Sequence, residues 1–255
     1  MNHILICTAT GAGAVRHAIR VLAQRGLQIT DRPTKDVTHL LLPVPSFEKD
    51  GRIRGGGILE HILADLPEDT CIIGGNLHHT ALSTYRKMDL LLDGQYLARN
   101  AAITADCAIR IAAQKLPVVL DGCPMLIIGW GRIGKCLAAK LRAAGAAVTV
   151  AARKNTDRDM LRALGYGTEH PAALRHTLAG FRVIFNTVPA QVLEEERLQY
   201  CRRDCILIEL ASKPGIPGGN VIPAPGLPGR MAPESSGQLI AQSIIRIIAE
   251  SEDKK

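Results

Sequence analysis

Aromatic side chains are scarce: Phe, Trp and Tyr make up 3% of the 255 residues, with one tryptophan among them. Surfaces that stack nucleobases on aromatic rings are therefore poorly supplied. Charge of one sign does not gather either. The formal charge is +7, yet no run of five or more cations occurs, and a phosphate-bearing cofactor with a carboxylate substrate accounts for the sign. Both shortages argue against nucleic acid as a partner. The seven cysteines include no CxxC pair. Cys201 and Cys205 stand four apart without a second pair or zinc-finger histidines, and His78 and His79, being adjacent, do not face one site. No metal is expected, and reduced thiols in a cytoplasm are. No apolar run nears the roughly 18 residues of a membrane span, and Ile4-Leu5-Ile6-Cys7 follows the N-terminus with neither a basic region nor a cleavage site. The expectation is a cytoplasmic protein without a membrane partner.

What is present is glycine in a telling order. Residues 125–134, Met-Leu-Ile-Ile-Gly-Trp-Gly-Arg-Ile-Gly, form an apolar strand broken by Gly129, Gly131 and Gly134. The first glycine allows a tight turn, the second lets backbone approach a pyrophosphate, and the third lets a helix pack on the strand. The helix that follows, with Arg132 and Ile133 in its first turn, would aim free N–H groups and a positive dipole end at the phosphates. A second strand at 147–151 completes the context such a fingerprint needs. Dinucleotide-binding folds that take NAD usually carry Asp or Glu about 20 residues past the first glycine. Here the chain reads Val150-Ala151-Ala152-Arg153-Lys154. A planar Arg153 fork beside Lys154 suits a 2′-phosphate, so NADP is favoured, with NAD as the alternative cofactor.

Length and periodicity predict a two-domain α/β protein. In residues 1–96, strands at 3–9, 38–44, 70–74 and 88–92 alternate with helices at 14–25 and 57–66, a smaller flavodoxin-like substrate or partner domain. A long helix over 96–115, ending before Pro117, joins it to a doubly wound Rossmann domain over 97–233. Strands there are predicted at 125–129, 147–151, 182–186, 205–210 and 220–223, with an acidic helix at 192–199. A final helix, 234–250, is expected to pack back on the first domain, capped by Ser235 or Ser236, before a charged, frayed tail at Ser251–Lys255.

Ligands of open parallel sheets sit beyond the carboxyl ends of the strands. Three segments there can carry chemistry. Asn186-Thr187-Val188-Pro189 makes a rigid lip able to line a nicotinamide, although Asn186 or Thr187 could equally cap the next helix. Glu209-Leu210-Ala211-Ser212-Lys213-Pro214-Gly215 delivers Ser212 and Lys213 into a turn suited to a substrate carboxylate. Pro225–Gly237 alternates Pro and Gly and so has few free torsions. From the connector helix, Arg99, Asn100, Thr104 and Asp106 are candidates: Arg99 for a carboxylate, Asn100 and Thr104 for orientation, Asp106 as a base.

As an ordered set these segments resemble the family of dipicolinate synthase A subunits. The resemblance rests on Ile128–Gly134, Ala152-Arg153, Asn186–Pro189, Leu210–Gly215, Pro225–Gly229, Ala232-Pro233 and Gly237-Gln238, with Asn100 and Thr104-Ala105-Asp106 matching the family's Asn-Ser-Ile-Pro-Thr-Ala-Glu segment. It implies NAD(P)-dependent oxidation of dihydrodipicolinate to dipicolinate and a flavoprotein-like partner, the B subunit. Asp106, Lys213 and Asn100 would then be catalytic, with Arg99, Thr104, Ser212 and Lys213 holding a small dicarboxylate, in a homo-oligomer. The chain departs from the family at Thr8-Ala9-Thr10-Gly11-Ala12-Gly13-Ala14, where Gly-Asp-Arg-Arg is usual. It departs also at Ile103, in the lengths of the carboxylates at 106 and 209, in a shortened 213–225 stretch, and at Glu234. Two alternatives follow: an NADP-linked dehydrogenase of another small acid, shikimate-like or 2-hydroxy-acid-like, or a non-catalytic NADP(H)-binding regulatory subunit.

Overall fold

A computed structural model describes residues 4–10, 13–218 and 220–252. Gly11 and Ala12 of the divergent Thr8–Ala14 stretch, and Asp253–Lys255 of the expected tail, lie outside the described residues. The chain runs β1 (Leu5–Thr8), α1 (Gly13–Gln24), β2 (Gln28–Thr30), β3 (His39–Leu41), α2 (Leu59–Ala64), β4 (Cys71–Gly74), β5 (Arg86–Asp89) and α3 (Gly94–Lys115). It continues through β6 (Pro124–Ile128), α4 (Arg132–Ala143), β7 (Ala147–Ala151), α5 (Asn155–Ala163), β8 (Gly167–Glu169) and β9 (Val183–Asn186). Then come α6 (Glu195–Leu198), β10 (Ile206–Glu209), β11 (Val221–Pro223), α7 (Leu227–Met231) and α8 (Pro233–Glu252). Two compact units result: Met1–Asn100 with Pro228–Lys255, and Ala101–Leu227. The division falls inside α3.

The first unit is built on five parallel strands in the order β2-β1-β3-β4-β5, the flavodoxin-like arrangement. Strands covered on both faces are largely apolar, and Leu40-Leu41 and Cys71-Ile72-Ile73 are accordingly buried; His39 is the buried polar exception in β3. Cys7, Leu40, Leu42, Leu63 and Ile72 form its core. Helix α8 packs on α1 through Gly237, where a Cβ would lie 2.4 Å from Ala14 O. The start of this helix corrects the expected cap. Pro233 occupies the first helical position, as its missing N–H allows. Ser236 lies inside the helix, its N–H bonded to Ala232 O at 2.9 Å, so neither Ser235 nor Ser236 is the cap. The helix also continues through Ser251 and Glu252, where fraying was expected.

The second unit has six parallel strands ordered β11-β10-β9-β6-β7-β8. Numbered within the unit, this is the 3-2-1-4-5-6 Rossmann order read from its other edge. Leu126, Ile128, Ile184, Leu193 and Ile216 sit in its core. The α/β class and doubly wound sheet are those expected from the sequence. Four elements were not anticipated: β2, β8, α5 and α7. The two strands are three-residue edges, too short for alternation to show. In α5 only Leu161 is buried, so its apolar stripe is too thin to read. The acidic helix expected at 192–199 contracts to Glu195–Leu198. Among the described residues no helix is long and apolar enough to cross a membrane.

Candidate functional site

Strand β6 ends at Ile128 and reaches α4 through Gly129-Trp130-Gly131. Each glycine has its own reason. Gly129 adopts φ +108°, and a Cβ there would fall 2.4 Å from Thr187 Oγ1 and 2.8 Å from Val188 Cγ2. At Gly134 a Cβ would stand 2.2 Å from Gly129 O, so the helix could not approach the strand. Gly131 differs: a Cβ would meet nothing within 4 Å. Its bareness leaves room for something other than the protein. The first helical bond runs from Lys135 N–H to Gly131 O at 2.9 Å, so the amides of Arg132, Ile133 and Gly134 have no helical acceptor. Space at Gly131 beside those amides and the dipole's positive end fits a pyrophosphate.

These residues border a cleft of about 650 Å³ at the carboxyl ends of β6, β7 and β9. Gly129, Gly131, Arg153, Lys154, Thr187, Val188 and Pro189, all singled out from the sequence, line it together. Arg132, Ile133 and Gly134 form the first turn of α4 and offer backbone amides. Trp130 lines the cleft too, with Lys135 Nζ 5.7 Å from its ring centroid. At the end of β7 no carboxylate stands where a ribose-binding one would, and Arg153 and Lys154 are exposed. Sequence reasoning missed Arg158. From α5 its Nη1 donates to Ala152 O and Arg153 O, each at 2.7 Å, and its Nη2 to Asn155 Oδ1. It thereby fastens the turn that presents the two cations. Acidic groups line the cleft as well: Asp157, and Glu194, whose carboxylate lies 3.4 Å from Arg197 Nε.

The expected cap at Asn186 or Thr187 is not formed. The residue preceding α6 is Glu194, which makes no side-chain cap bond. Asn186 instead points into the unit, fully buried, and donates Nδ2 to both oxygens of Glu209 at 2.9 and 3.0 Å. Thr187 Oγ1 donates to Ile128 O at 2.9 Å, tying the lip to the glycine strand. Glu209 was read from the sequence only as part of a segment; its burial, 4% exposed, is what marks it. Ser212 and Lys213 follow it in an exposed turn.

The remaining candidates lie on α3. Arg99 is exposed and Asn100 half-buried, both in the first unit; Thr104 is buried in the second. Asp106 is exposed, its Oδ1 2.8 Å from Lys140 Nζ on α4. Thr104, Asp106, Ser212 and Lys213 do not line the cleft. His79 serves the fold: its Nδ1 accepts from Ala81 N–H at 3.3 Å, and its ring lies 5.1 Å from that of Phe47. Burial pushes the Cys7 thiol up to about 11 and raises Cys71, Cys107 and Cys123 as well, so these thiols are poor nucleophiles. Among the described residues no group of three or more His, Cys, Asp or Glu side chains could hold a metal ion.

Residues 98–214 match the family "D-isomer specific 2-hydroxyacid dehydrogenase, NAD binding domain". The A subunit of dipicolinate synthase from Bacillus subtilis (strain 168) is 25% identical over 241 residues, covering 87% of this chain and 81% of that protein. The crystal structure of the A subunit of dipicolinate synthase from Bacillus halodurans superposes with a TM-score of 0.85 at 22% identity, covering 97% of this chain and 98% of that one. The corresponding Bacillus subtilis structure gives 0.84 at 21% identity, covering 100% and 99%. The chain is thus an NAD(P)-dependent oxidoreductase similar to the A subunit of dipicolinate synthase, and its residues 98–214 resemble the NAD-binding domain of D-isomer specific 2-hydroxyacid dehydrogenases.

Proposed function

We propose that this chain carries out NADP-linked oxidation of dihydrodipicolinate to dipicolinate, in the role of an A subunit that works with a flavoprotein-like B subunit. The observation that carries the reading is the similarity, over 87% of the chain, to the A subunit of dipicolinate synthase. Loss of one hydride and one proton turns the dihydropyridine ring into an aromatic pyridine, and the bound nicotinamide supplies the hydride acceptor. The protein's part is placement. The amides of Arg132, Ile133 and Gly134 hold the pyrophosphate, while Arg153 and Lys154 hold the 2′-phosphate. Thr187, Val188 and Pro189 form the wall for the nicotinamide. Lys213 pairs with a substrate carboxylate, and Ser212 and Thr104 orient the ring. Asp106 is the carboxylate offered for the ring proton; because aromatisation drives its loss, no strong base is required.

The test is calorimetric titration of NADPH and NADH into the purified protein, followed by pyridine-2,6-dicarboxylate. Tight NADPH binding with further heat from the dicarboxylate is expected, and Lys213→Ala should remove the second heat while sparing the first. Preference for NADH would overturn the NADP assignment. The match of residues 98–214 to 2-hydroxyacid dehydrogenases favours a second reading, a dehydrogenase of another small carboxylic acid. NADPH binding with no response to the dicarboxylate would select it.

A further inference from the structure

Glu209 ends β10 as a buried carboxylate. Burying an ionisable group costs more than burying an apolar side chain of equal size unless hydrogen bonds offset it. Four N–H groups do so here. Oε1 accepts from Asn186 Nδ2 at 2.9 Å and Ala211 N–H at 3.0 Å. Oε2 accepts from Asn186 Nδ2 at 3.0 Å, Gly215 N–H at 2.8 Å and Ile216 N–H at 3.1 Å. The donors come from two places. Ala211, Gly215 and Ile216 bracket the turn that carries Ser212 and Lys213. Asn186 belongs to the cleft's lip, where its amide also donates to Val188 O and accepts from Val188 N–H, both at 3.0 Å. Val188 lines the cleft. A second link runs beside the first: Val192 N–H donates to Gly215 O at 2.9 Å, and a Cβ on Gly215 would fall 2.2 Å from Ala190 O. Lip and turn are one hydrogen-bonded piece, with the carboxylate at its centre. An apolar side chain could fill that space but could not join the two loops.

We propose that Glu209 is a positioning residue that couples the dinucleotide cleft to the Ser212–Lys213 turn, so that a nucleotide resting on the 186–192 lip orders the turn for an acidic substrate. The direction of the effect rests on the reading of Lys213 as a carboxylate holder. Amide hydrogen exchange tests the coupling without turnover, on segments 129–134 and 206–218, with and without whichever of NADPH or NADH binds more tightly. In the wild type the nucleotide should slow exchange in both segments. In Glu209→Gln, whose amide group turns an N–H toward other N–H donors, it should slow only the first. Nucleotide affinity should change by less than about threefold, while pyridine-2,6-dicarboxylate binding to the complex weakens about tenfold or more. Glu209→Asp, which keeps the charge, should restore part of the protection. Asn186→Ser removes the bridging amide alone and should uncouple in the same way, which covers the case in which Glu209→Gln does not fold. Protection of 206–218 that survives in a folded uncoupling variant, or that never appears in the wild type, overturns the proposal. Failure of the wild type to bind the dicarboxylate overturns the substrate reading instead and leaves the exchange comparison to decide the coupling.

Discussion

At the scale of single residues, the glycines of the 129–134 loop make different demands, and substitution should separate them. Gly131→Ala adds a methyl that meets no protein atom within 4 Å. Melting should be unchanged while nucleotide affinity falls about tenfold or more, since the methyl occupies the pyrophosphate's approach. Gly134→Ala drives a Cβ to 2.2 Å from a backbone oxygen. It should destabilise the second unit by about 1–3 kcal/mol as the helix shifts, seen as a lower urea midpoint. Arg153→Ala tests cofactor choice: NADPH affinity should drop about tenfold or more, the worth of a charge-assisted contact, with NADH affinity nearly unmoved. The single tryptophan, Trp130, lines the cleft and its emission reports binding directly. Equal losses for both nucleotides would mean that Arg153 does not read the 2′-phosphate. The glycines were legible in the sequence as a tight strand-to-helix turn, because their spacing follows from backbone sterics close along the chain. Glu209 was not, for its meaning lies in Asn186, 23 residues away, and no local pattern records that pair.

At the scale of elements, apolar runs located the central strands well. β6 and β9 are buried almost throughout, so their residues up to Asn186 had to be apolar whatever their neighbours. Edge strands β2 and β8 escaped for the opposite reason: half of each is in water, and three residues give no period. The last helix shows how tertiary packing decides a terminus. Ser235 and Ser236 have the chemistry of caps, yet Pro233 already sets the helical φ and the serines fall within the first turn. The same helix meets α1 at Gly237, where a Cβ would lie 2.4 Å from Ala14 O, 2.5 Å from His17 Cβ and 2.8 Å from Ala18 N. Two of those atoms are backbone and cannot turn aside. Gly237→Ala should therefore part the helices and cost the first unit about 1–3 kcal/mol, measured as an earlier denaturant transition.

For the molecule as a whole, one buried imidazole should shape the response to acid. Burial, aided by Arg86, lowers His39 from 6.5 to about 4. The unfolded chain takes up this proton near pH 6.5, but the folded one does so only near 4. Stability is thus full above 6.5 and falls as the pH drops toward 4, by about 3 kcal/mol in total. Urea midpoints at several pH values in this window should decline, and His39→Gln should flatten the slope. A slope unchanged in that variant would assign the acid sensitivity elsewhere. By itself, the sequence determined the α/β class, the order of the main elements and the glycine turn from β6 into α4, since hydrophobic period and glycine sterics act within a few residues of the chain. Tertiary structure alone decided which side chains meet. It joined Glu209 to Asn186 and turned Asp106 to Lys140, because burial and hydrogen-bond partners depend on distances that only the folded chain closes.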